Sequence, residues 1–307
     1  MAKIYPKIYF EDKLVDSNQA NLSVTSSAVL YGLSVYTVFP VCLTEDGKLA
    51  AFRLKEHFKR LLESAQIIGM DDFEKNWDYS KFVMAVNEVI AANQVTKDVF
   101  VRATIHVDEQ VPGTRSRGLK NTLSIFIYEA VPIVPQDGTR LKTSVWRRIP
   151  DNSIPSRAKV NGAYVNSVLA KQDAIDSGYD DCIFLDVQGH VCELSAANIF
   201  MVRNGHLITP DTTSDLLEGI NRRTIIEVAA EHSLKVVERT IDLTELYIAD
   251  EVFASGTSAY IAPVTEIDAR KISDGKPGPI TTKLKTYHWD VLHGQDTSRA
   301  SWLTELS

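Results

Sequence analysis

The stretch Cys182–Thr209, which reads CIFLDVQGHVCELSAANIFMVRNGHLIT, decides the fold class of this chain. It contains four short apolar runs and two turn signals, Gln188-Gly189 and Asn204-Gly205. Such dipeptides predict tight turns between antiparallel strands. We therefore expect two β-hairpins, which join Cys182–Val187 to His190–Ser195 and Asn198–Arg203 to His206–Thr209.

Outside this stretch, helices and strands do not alternate regularly. Apolar residues share one helical face from Leu54 to Ile68, before Gly69, and again from Ser80 to Asn93, with Ser80 as the expected N-cap. The remaining expected elements are a hairpin of Lys7–Phe10 with Lys13–Val15, strands Ser34–Leu43, Lys48–Phe52, Val99–Val107, Thr122–Tyr128 and Lys235–Thr240, two strands within 251–267 interrupted at Gly256, and helices Asn221–His232 and Thr281–His293. This order predicts an α+β fold and disfavours a doubly wound parallel sheet.

A segment with prolines and a glycine turn divides the chain. Pro132, Pro135 and Gln136-Asp137-Gly138 are typical of a linker, and 307 residues suffice for two domains. We expect a small domain at 1–129, a linker at 130–138 and a large domain at 139–307.

Composition excludes several classes of protein. A net charge of -7 argues against a nucleic-acid partner, and neither a secretory signal nor an apolar run of roughly 20 residues is present. The three cysteines indicate neither a disulfide framework nor a zinc site, and Cys192 is expected opposite Leu185 rather than Cys182. We therefore expect a cytoplasmic protein with no metal, no nucleic acid and no membrane partner. A dinucleotide site is not indicated, because no G-x-G-x-x-G follows a strand.

Five separated segments resemble one enzyme family. They are Tyr31-Gly32 with Ser34-Val35-Tyr36, Ser153–Lys159 with Asn161-Gly162 and Tyr164, Glu193–Phe200, Leu217–Arg222, and Gly256-Thr257-Ser258. In this order they resemble the class IV (fold type IV) pyridoxal 5'-phosphate (PLP) aminotransferases, and within them the branched-chain amino-acid aminotransferases. The resemblance extends from about Tyr31 to Pro279. It implies a small domain that covers the substrate and a large, strand-rich domain that binds PLP.

Two charged residues would carry the chemistry. Schiff-base formation requires a neutral lysine amine, and Lys159 lies in a segment of small and apolar residues. The resemblance implies that Lys159 binds PLP as a Schiff base and moves a proton between Cα and C4', and that Tyr164 donates to the phenolic oxygen. Glu193 lies on an apolar strand, where a carboxylate needs a positive partner. The resemblance makes that partner the pyridinium nitrogen.

The cofactor phosphate requires a site for a dianion. Leu217–Arg222 leads into a predicted helix, whose first N–H groups favour phosphate. The resemblance assigns cofactor binding to Arg60, Leu217, Gly219, Ile220, Asn221, Gly256 and Thr257. Its spacing puts Arg60 on the polar side of the first long helix.

The substrate residues match the family less completely. The resemblance assigns substrate binding to Tyr31, Tyr36, Arg102, Thr257 and Ser258. Thr37-Val38-Phe39-Pro40 stands where branched-chain enzymes have E-G-I-R, and Phe100 stands where they have tyrosine. Arg102 favours a carboxylate, including the side chain of glutamate. The polar loop from His106 to Gly118, with Arg115 and Arg117, is a candidate to close the site and bind the acceptor.

The implied function is transamination of branched-chain L-amino acids, with 2-oxoglutarate as amino acceptor. Relatives imply at least a homodimer. The departure at 37–40 leaves other reactions of the same fold open: a D-amino-acid or (R)-amine transaminase, or an aminodeoxychorismate lyase. A further alternative is a PLP-binding or scaffold protein without turnover.

Overall fold

The computed structural model of this chain describes residues 2–110, 113–231 and 233–306. It confirms the α+β fold, with helices and strands in an irregular order. In chain order the elements are β1 (Lys7–Phe10), β2 (Lys13–Asp16), α1 (Ser27–Tyr31), β3 (Ser34–Leu43), β4 (Leu49–Phe52), α2 (Leu54–Ile67), α3 (Phe73–Asn76), α4 (Tyr79–Ala92), β5 (Val99–Val107), β6 (Asn121–Glu129), β7 (Thr139–Arg147), α5 (Tyr164–Asp176), β8 (Asp181–Leu185), β9 (Val191–Leu194), β10 (Asn198–Arg203), β11 (His206–Thr209), α6 (Ile220–Glu231), β12 (Val236–Glu238), α7 (Leu243–Tyr247), β13 (Glu251–Gly256), β14 (Tyr260–Ile267), β15 (Arg270–Lys271), α8 (Pro279–Leu292) and β16 (Leu303–Leu306).

The chain forms two compact units. The first unit comprises Met1–Val131, Ala158–Gly162 and Asp290–Ser307, and the second comprises Pro132–Arg157 and Ala163–Trp289. Packing therefore groups the short segment around Lys159 and the C-terminal residues with the first unit. The division of labour between a substrate-covering domain at 1–129 and a PLP-binding domain at 139–307 stays a prediction.

The first unit is built on a seven-stranded sheet in the order β16-β4-β3-β5-β6-β1-β2. Its strands pair antiparallel, and β3 and β5 pair over eight residues, from Ser34 opposite His106 to Val41 opposite Val99. The apolar faces of α2 and α4 supply fully buried side chains such as Leu61 and Phe82. Burying a side chain of that size stabilises the unit by about 2 kcal/mol.

The second unit is built on a sheet that closes on itself. Its strand order is β12-β11-β10-β13-β14-β7-β8-β9, and β9 also pairs with β10 through Glu193 and Asn198. Apolar residues from these strands, including Leu141, Ile199 and Ala254, form one buried core. The closing pair contains Glu193, which the resemblance predicts to bind the cofactor.

Most expected elements are confirmed, but several details of the prediction were wrong or incomplete. Asp78 rather than Ser80 caps α4, since its side chain accepts the Lys81 N–H. In the β8–β9 hairpin a register shift sets Val191 rather than Cys192 opposite Leu185, and all three cysteines are free. The predicted helix end at His232, and Val111 and Pro112 of the polar loop, lie outside the described residues.

No prediction covered helix α5. Its small residues Ala170 and Ala174 are buried, whereas the larger Val165 and Val168 are each 64% exposed. With apolar residues on both faces, the sequence shows no clear amphipathic period.

Among the described residues, no helix is both long enough and apolar enough to cross a bilayer.

Candidate active site

Lys159 is held on the first unit by its own backbone. The Tyr36 N–H donates to the Lys159 carbonyl at 3.0 Å, and the Lys159 N–H donates to the Ser64 hydroxyl at 3.1 Å. An isolated bridge between Val35 and Val160 continues this pairing along β3. The Lys159 side-chain nitrogen lies 4.9 Å from the centre of the Tyr36 ring. The structure therefore brings Lys159 and Tyr36 together.

Two glycines allow this close approach of the chain segments. Gly32, which ends α1, has φ +65°, and a Cβ there would lie 2.9 Å from Gly162 Cα. That distance is too short for any side chain, so the two backbones touch only because neither residue has one. The glycines of the two family-like segments, Tyr31-Gly32 and Asn161-Gly162, are thus both required by one backbone contact. Tyr31 itself is 43% exposed.

Arg102 joins the same group of residues. Its guanidinium carbon lies 3.7 Å from the centre of the Tyr36 ring, and its Nη2 donates to Asn161 Oδ1. Asn161 in turn donates to the Ser34 hydroxyl at 2.6 Å. Cation–π stacking and the Asn161 amide therefore hold the Arg102 guanidinium in a fixed orientation against Tyr36, the ring that the Lys159 amine also contacts.

Arg60 turns inward, although its spacing placed it on the polar side of α2. Its Nη2 donates to the Thr37 hydroxyl at 3.2 Å, and the same hydroxyl lies 2.8 Å from His57 Nδ1. Thr37 and His57 are fully buried. Sequence reasoning missed His57, whose signal was its place on the apolar face of α2 one residue before Phe58.

In the second unit, Glu193 is buried within a network of donors. Arg148 Nη2 lies 2.9 Å from its Oε1, and the two side chains are 11% and 7% exposed. Oε2 accepts from Asn198 Nδ2 at 3.2 Å and from the Leu217 N–H at 3.3 Å. Sequence reasoning missed Arg148, since the pair is 45 positions apart in sequence. A paired, buried carboxylate of this kind can keep its negative charge beside a positive ring nitrogen.

The start of α6 lies against the same network. Asn198 Nδ2 also donates to the Leu217 carbonyl at 2.9 Å, and a Cβ on Gly219 would lie 2.1 Å from Asn198 Oδ1. Only glycine fits there. Ile220 and Asn221 begin the helix and are buried, and their N–H groups precede the first intrahelical bonds.

These residues fit a phosphate group. The side-chain oxygen of Asn221 is buried without a hydrogen-bond partner among the described residues. A buried amide in that state indicates a polar group missing from its surroundings, and exchanging its O and N positions would present a donor. The dipole of a 12-residue helix adds a favourable potential for an anion at this end.

The turn Gly256-Thr257-Ser258 lies at the same end of the sheet. Gly256 ends β13 and pairs with Tyr260, and a Cβ on it would approach the Ala196 carbonyl at 3.2 Å. The register sets Ser255 opposite Asn198, and the Ser258 carbonyl accepts the Ile133 N–H at 3.0 Å. Glu193, Leu217, Gly219 and the turn therefore gather around β9, β10 and β13. Tyr164 begins α5 and is half-buried.

Cys42, Asp98 and His293 form a separate polar cluster in the first unit. Within the described part of the chain, this is the one group of three or more His, Cys, Asp and Glu side chains whose ligand atoms all lie within 4.8 Å of one another. Asp98 accepts from His293 Nε2 at 2.9 Å and from the Leu43 N–H at 2.9 Å. Burial, and to a lesser degree Asp98, raises the pKa of the Cys42 thiol far above its usual value. These bonds connect the end of α8 to the end of β3. No metal site was predicted from the sequence.

Comparison with known proteins identifies the family. Residues 37–267 match the family described as amino-transferase class IV. The chain belongs to the class IV aminotransferases. A curated relative from Aquifex aeolicus, named a probable branched-chain-amino-acid aminotransferase, is 38% identical over 97% of this chain and 96% of its own length.

Solved structures of the family have the same fold. The branched-chain aminotransferase of Thermoproteus uzoniensis with norvaline aligns with a TM-score of 0.94 at 34% identity, over 99% of this chain and 100% of that one. The T.th. branched-chain amino acid aminotransferase complexed with N-(5'-phosphopyridoxyl)-L-glutamate aligns with a TM-score of 0.91 at 33% identity, over 98% of each chain. The fold is therefore that of a class IV aminotransferase along nearly its whole length.

Proposed function

We propose that this aminotransferase uses PLP to transfer the amino group of a branched-chain L-amino acid to 2-oxoglutarate. The observation that carries the proposal is the buried Glu193, held by Arg148 at 2.9 Å and bonded to the loop that opens α6. A buried charge balanced in this way is costly to build and is a marker of functional sites. When bound, PLP supplies a protonated pyridine ring that accepts the electron pair left at the substrate Cα.

Each candidate residue has a defined part in this proposal. Glu193 keeps the ring nitrogen protonated, because Arg148 stabilises its negative charge. The first N–H groups of α6 at Ile220 and Asn221, with Thr257 and Arg60, bind the phosphate. Leu217 packs against the ring, Gly219 and Gly256 let the backbone approach, and Tyr164 donates to the phenolic oxygen.

With PLP bound, the Lys159 amine would move the proton between the substrate Cα and the C4' carbon of the cofactor. Its backbone is fixed to β3 and to Ser64, so the amine works from a rigid base. Arg102 binds the substrate carboxylate, because its guanidinium is already oriented by the Tyr36 ring and Asn161. Thr257 and Ser258 offer backbone N–H groups to the same carboxylate, and Tyr31 and Tyr36 provide an apolar wall for the side chain.

The substrate assignment is supported by the relatives. Those described above are named branched-chain aminotransferases, and one was solved with norvaline, an aliphatic amino acid. The acceptor assignment is supported by the T.th. complex, in which the amino-acid part of the adduct is L-glutamate. Glutamate is what 2-oxoglutarate becomes when it receives the amino group.

We extend the proposal to the assembly and its location. Val165, Val168 and Leu169 form an exposed apolar stripe on α5, 64%, 64% and 41% exposed, and a stripe of this kind is typical of a subunit contact. It supports a homodimer, which light scattering on purified protein would test. Three free, buried cysteines support a cytoplasmic location.

The central test is chemical capture at Lys159. Borohydride reduction of the protein with PLP should leave a pyridoxyl group on Lys159, found by peptide mass spectrometry. Lys159→Ala should abolish transamination while the far-ultraviolet circular dichroism spectrum stays unchanged. Normal turnover in that variant, or labelling only at other lysines, would refute the assignment.

A donor panel tests the substrate. L-leucine, L-isoleucine and L-valine should be the best donors with 2-oxoglutarate, measured as glutamate formed. A preference for D-alanine or an (R)-amine, or release of pyruvate from aminodeoxychorismate, would replace the branched-chain assignment with one of the other reactions of this fold.

A further inference from the structure

Three polar side chains, Thr37 on β3 and His57 and Arg60 on α2, form a chain of contacts in the first unit. Arg60 Nη2 donates to Thr37 Oγ1 at 3.2 Å, and Thr37 Oγ1 lies 2.8 Å from His57 Nδ1. Thr37 and His57 are both 0% exposed, and the His57 ring lies 5.6 Å from that of Phe39. Thr37 is also the first residue of the segment in which this chain departs from the branched-chain pattern.

Counting protons fixes the direction of one bond, because a guanidinium only donates and Arg60 must occupy a lone pair of the Thr37 oxygen. For the 2.8 Å contact between Thr37 Oγ1 and His57 Nδ1 we assign the hydroxyl as donor. With this assignment His57 is the neutral tautomer with its proton on Nε2. In this arrangement the histidine orients the hydroxyl, and the hydroxyl orients the arginine.

The charges around His57 agree with this tautomer. Burial, followed by the positive charges of Arg60, Lys159 and Arg53, holds the pKa of His57 well below 6.5. A neutral His57 adds no second positive charge beside Arg60, and it leaves Nδ1 free to accept. A neutral His57 is thus consistent with both the contact to Thr37 and the surrounding charges.

Stability alone does not account for this arrangement. His57 Nε2 has no hydrogen-bond partner among the described residues. A buried unpaired donor costs about 1–3 kcal/mol, whereas an apolar side chain of similar shape would have none of that cost. A polar network that is retained at a cost to stability indicates a role outside folding.

We propose that Thr37 and His57 are positioning residues that hold the Arg60 guanidinium in the orientation that binds the cofactor phosphate. The inference rests on the proposed function, in which Arg60 contacts that phosphate. A free arginine loses rotamer entropy when it binds, and a guanidinium already fixed loses less. Thr37 and His57 act through Arg60 and touch neither cofactor nor substrate.

The experiment compares two ligands that differ only in the phosphate. Pyridoxamine 5'-phosphate and pyridoxamine share the ring and the amine, and neither bonds covalently to Lys159. Affinity for the first is measured by fluorescence quenching of the purified apoenzyme, and for the second by competition against the first. The variants are Thr37→Val, which removes the hydroxyl and keeps the shape, and Thr37→Ser, which keeps the hydroxyl.

Thr37→Val should weaken the binding of pyridoxamine 5'-phosphate about tenfold, which is the effect of one hydrogen bond to a charged group. It should change the affinity for pyridoxamine by less than about twofold. Thr37→Ser should retain the wild-type ratio of affinities. In an Arg60→Met background, Thr37→Val should have no further effect, because the residue it positions is gone. If Thr37→Val does not fold, His57→Phe removes the acceptor of the hydroxyl proton and should shift the same ratio in the same direction.

Two results would overturn the inference. One is an equal loss of affinity for both ligands, and the other is an unchanged ratio in both Thr37→Val and His57→Phe. Failure of the proposed function gives a different result, since wild-type protein would then bind pyridoxamine 5'-phosphate no better than pyridoxamine.

Discussion

Replacing Arg148 by methionine should destabilise the second unit far more than an ordinary surface ion pair does. Arg148 and Glu193 are 11% and 7% exposed and 2.9 Å apart, so the change leaves a buried negative charge without its cation. Removal of one partner from such a pair costs about 3–5 kcal/mol. Because Asn198 and the Leu217 N–H still donate to Glu193, we expect the lower end, about 3 kcal/mol.

Arg157→Met is the matched control. Arg157 pairs with two carboxylates in the same unit, Asp151 and Glu218, each at 3.1 Å, but Arg157 is 42% exposed and the two carboxylates are 46% and 41% exposed. Like Arg148, it also donates to a backbone carbonyl, that of Thr212, at 3.0 Å. Solvent screening reduces the value of each exposed ion pair to about 1 kcal/mol or less. Urea unfolding of the apoenzyme at pH 7, followed by circular dichroism, should therefore separate the two variants clearly.

A double variant isolates the charge effect from other contacts of Arg148. Arg148 Nε also donates to the Asp215 carbonyl at 3.2 Å, and that bond is lost in any Arg148 variant. Adding Glu193→Gln removes the stranded charge and should recover roughly 1–2 kcal/mol. If Arg148→Met costs no more than Arg157→Met, or if the double variant recovers nothing, the argument from buried charge is refuted.

Two further predictions concern the first unit. Gly32→Ala should lower the free energy of unfolding by at least about 2 kcal/mol more than Gly47→Ala does. Both glycines have a left-handed φ, +65° and +80°, but of the two only Gly32 would place a Cβ against another backbone, at 2.9 Å. Thermal unfolding measures the difference, and equal losses would contradict the close approach of Gly32 to Gly162. Burial, followed by the charge of Arg102, lowers the pKa of His106 from 6.5 to about 4. The unfolded chain therefore binds the proton first, and stability is lost as pH falls from 6.5 to 4, by about 3 kcal/mol from this residue. In urea unfolding, the free energy of unfolding of His106→Asn should fall by about 3 kcal/mol less than that of the wild type over the same pH range. An unchanged pH dependence would show that His106 is not buried in its neutral form.

Local sequence accounts for much of the fold. The turn dipeptides Gln188-Gly189 and Asn204-Gly205 predicted both hairpins, because the backbone of such turns matches the twist of the strands. The apolar face of α2 was equally clear. The N-cap of α4 was predicted wrongly at Ser80, because serine is itself a favourable capping residue. The helix begins at Tyr79, and Asp78 caps it.

Some residues of the candidate site were predicted from the sequence, and others were not. Glu193 was a candidate because a carboxylate on an apolar strand needs a positive partner, and that argument uses only neighbouring residues. Which cation lies beside it in the protein was not predicted, since Arg148 follows β7 in the chain whereas Glu193 lies on β9. Helix α5 was missed for a related reason, because its buried face is made of alanines.

The amino-acid sequence by itself determined the hairpins and the amphipathic helices, because these depend on contacts within a few positions of one another. It supplied the candidate site residues through resemblance to a family. Only the tertiary structure decided that Arg60 turns inward to Thr37, that Arg148 balances Glu193, and that Gly32 touches Gly162. Each of these contacts joins residues far apart in the chain, and their geometry depends on how whole strands and helices pack.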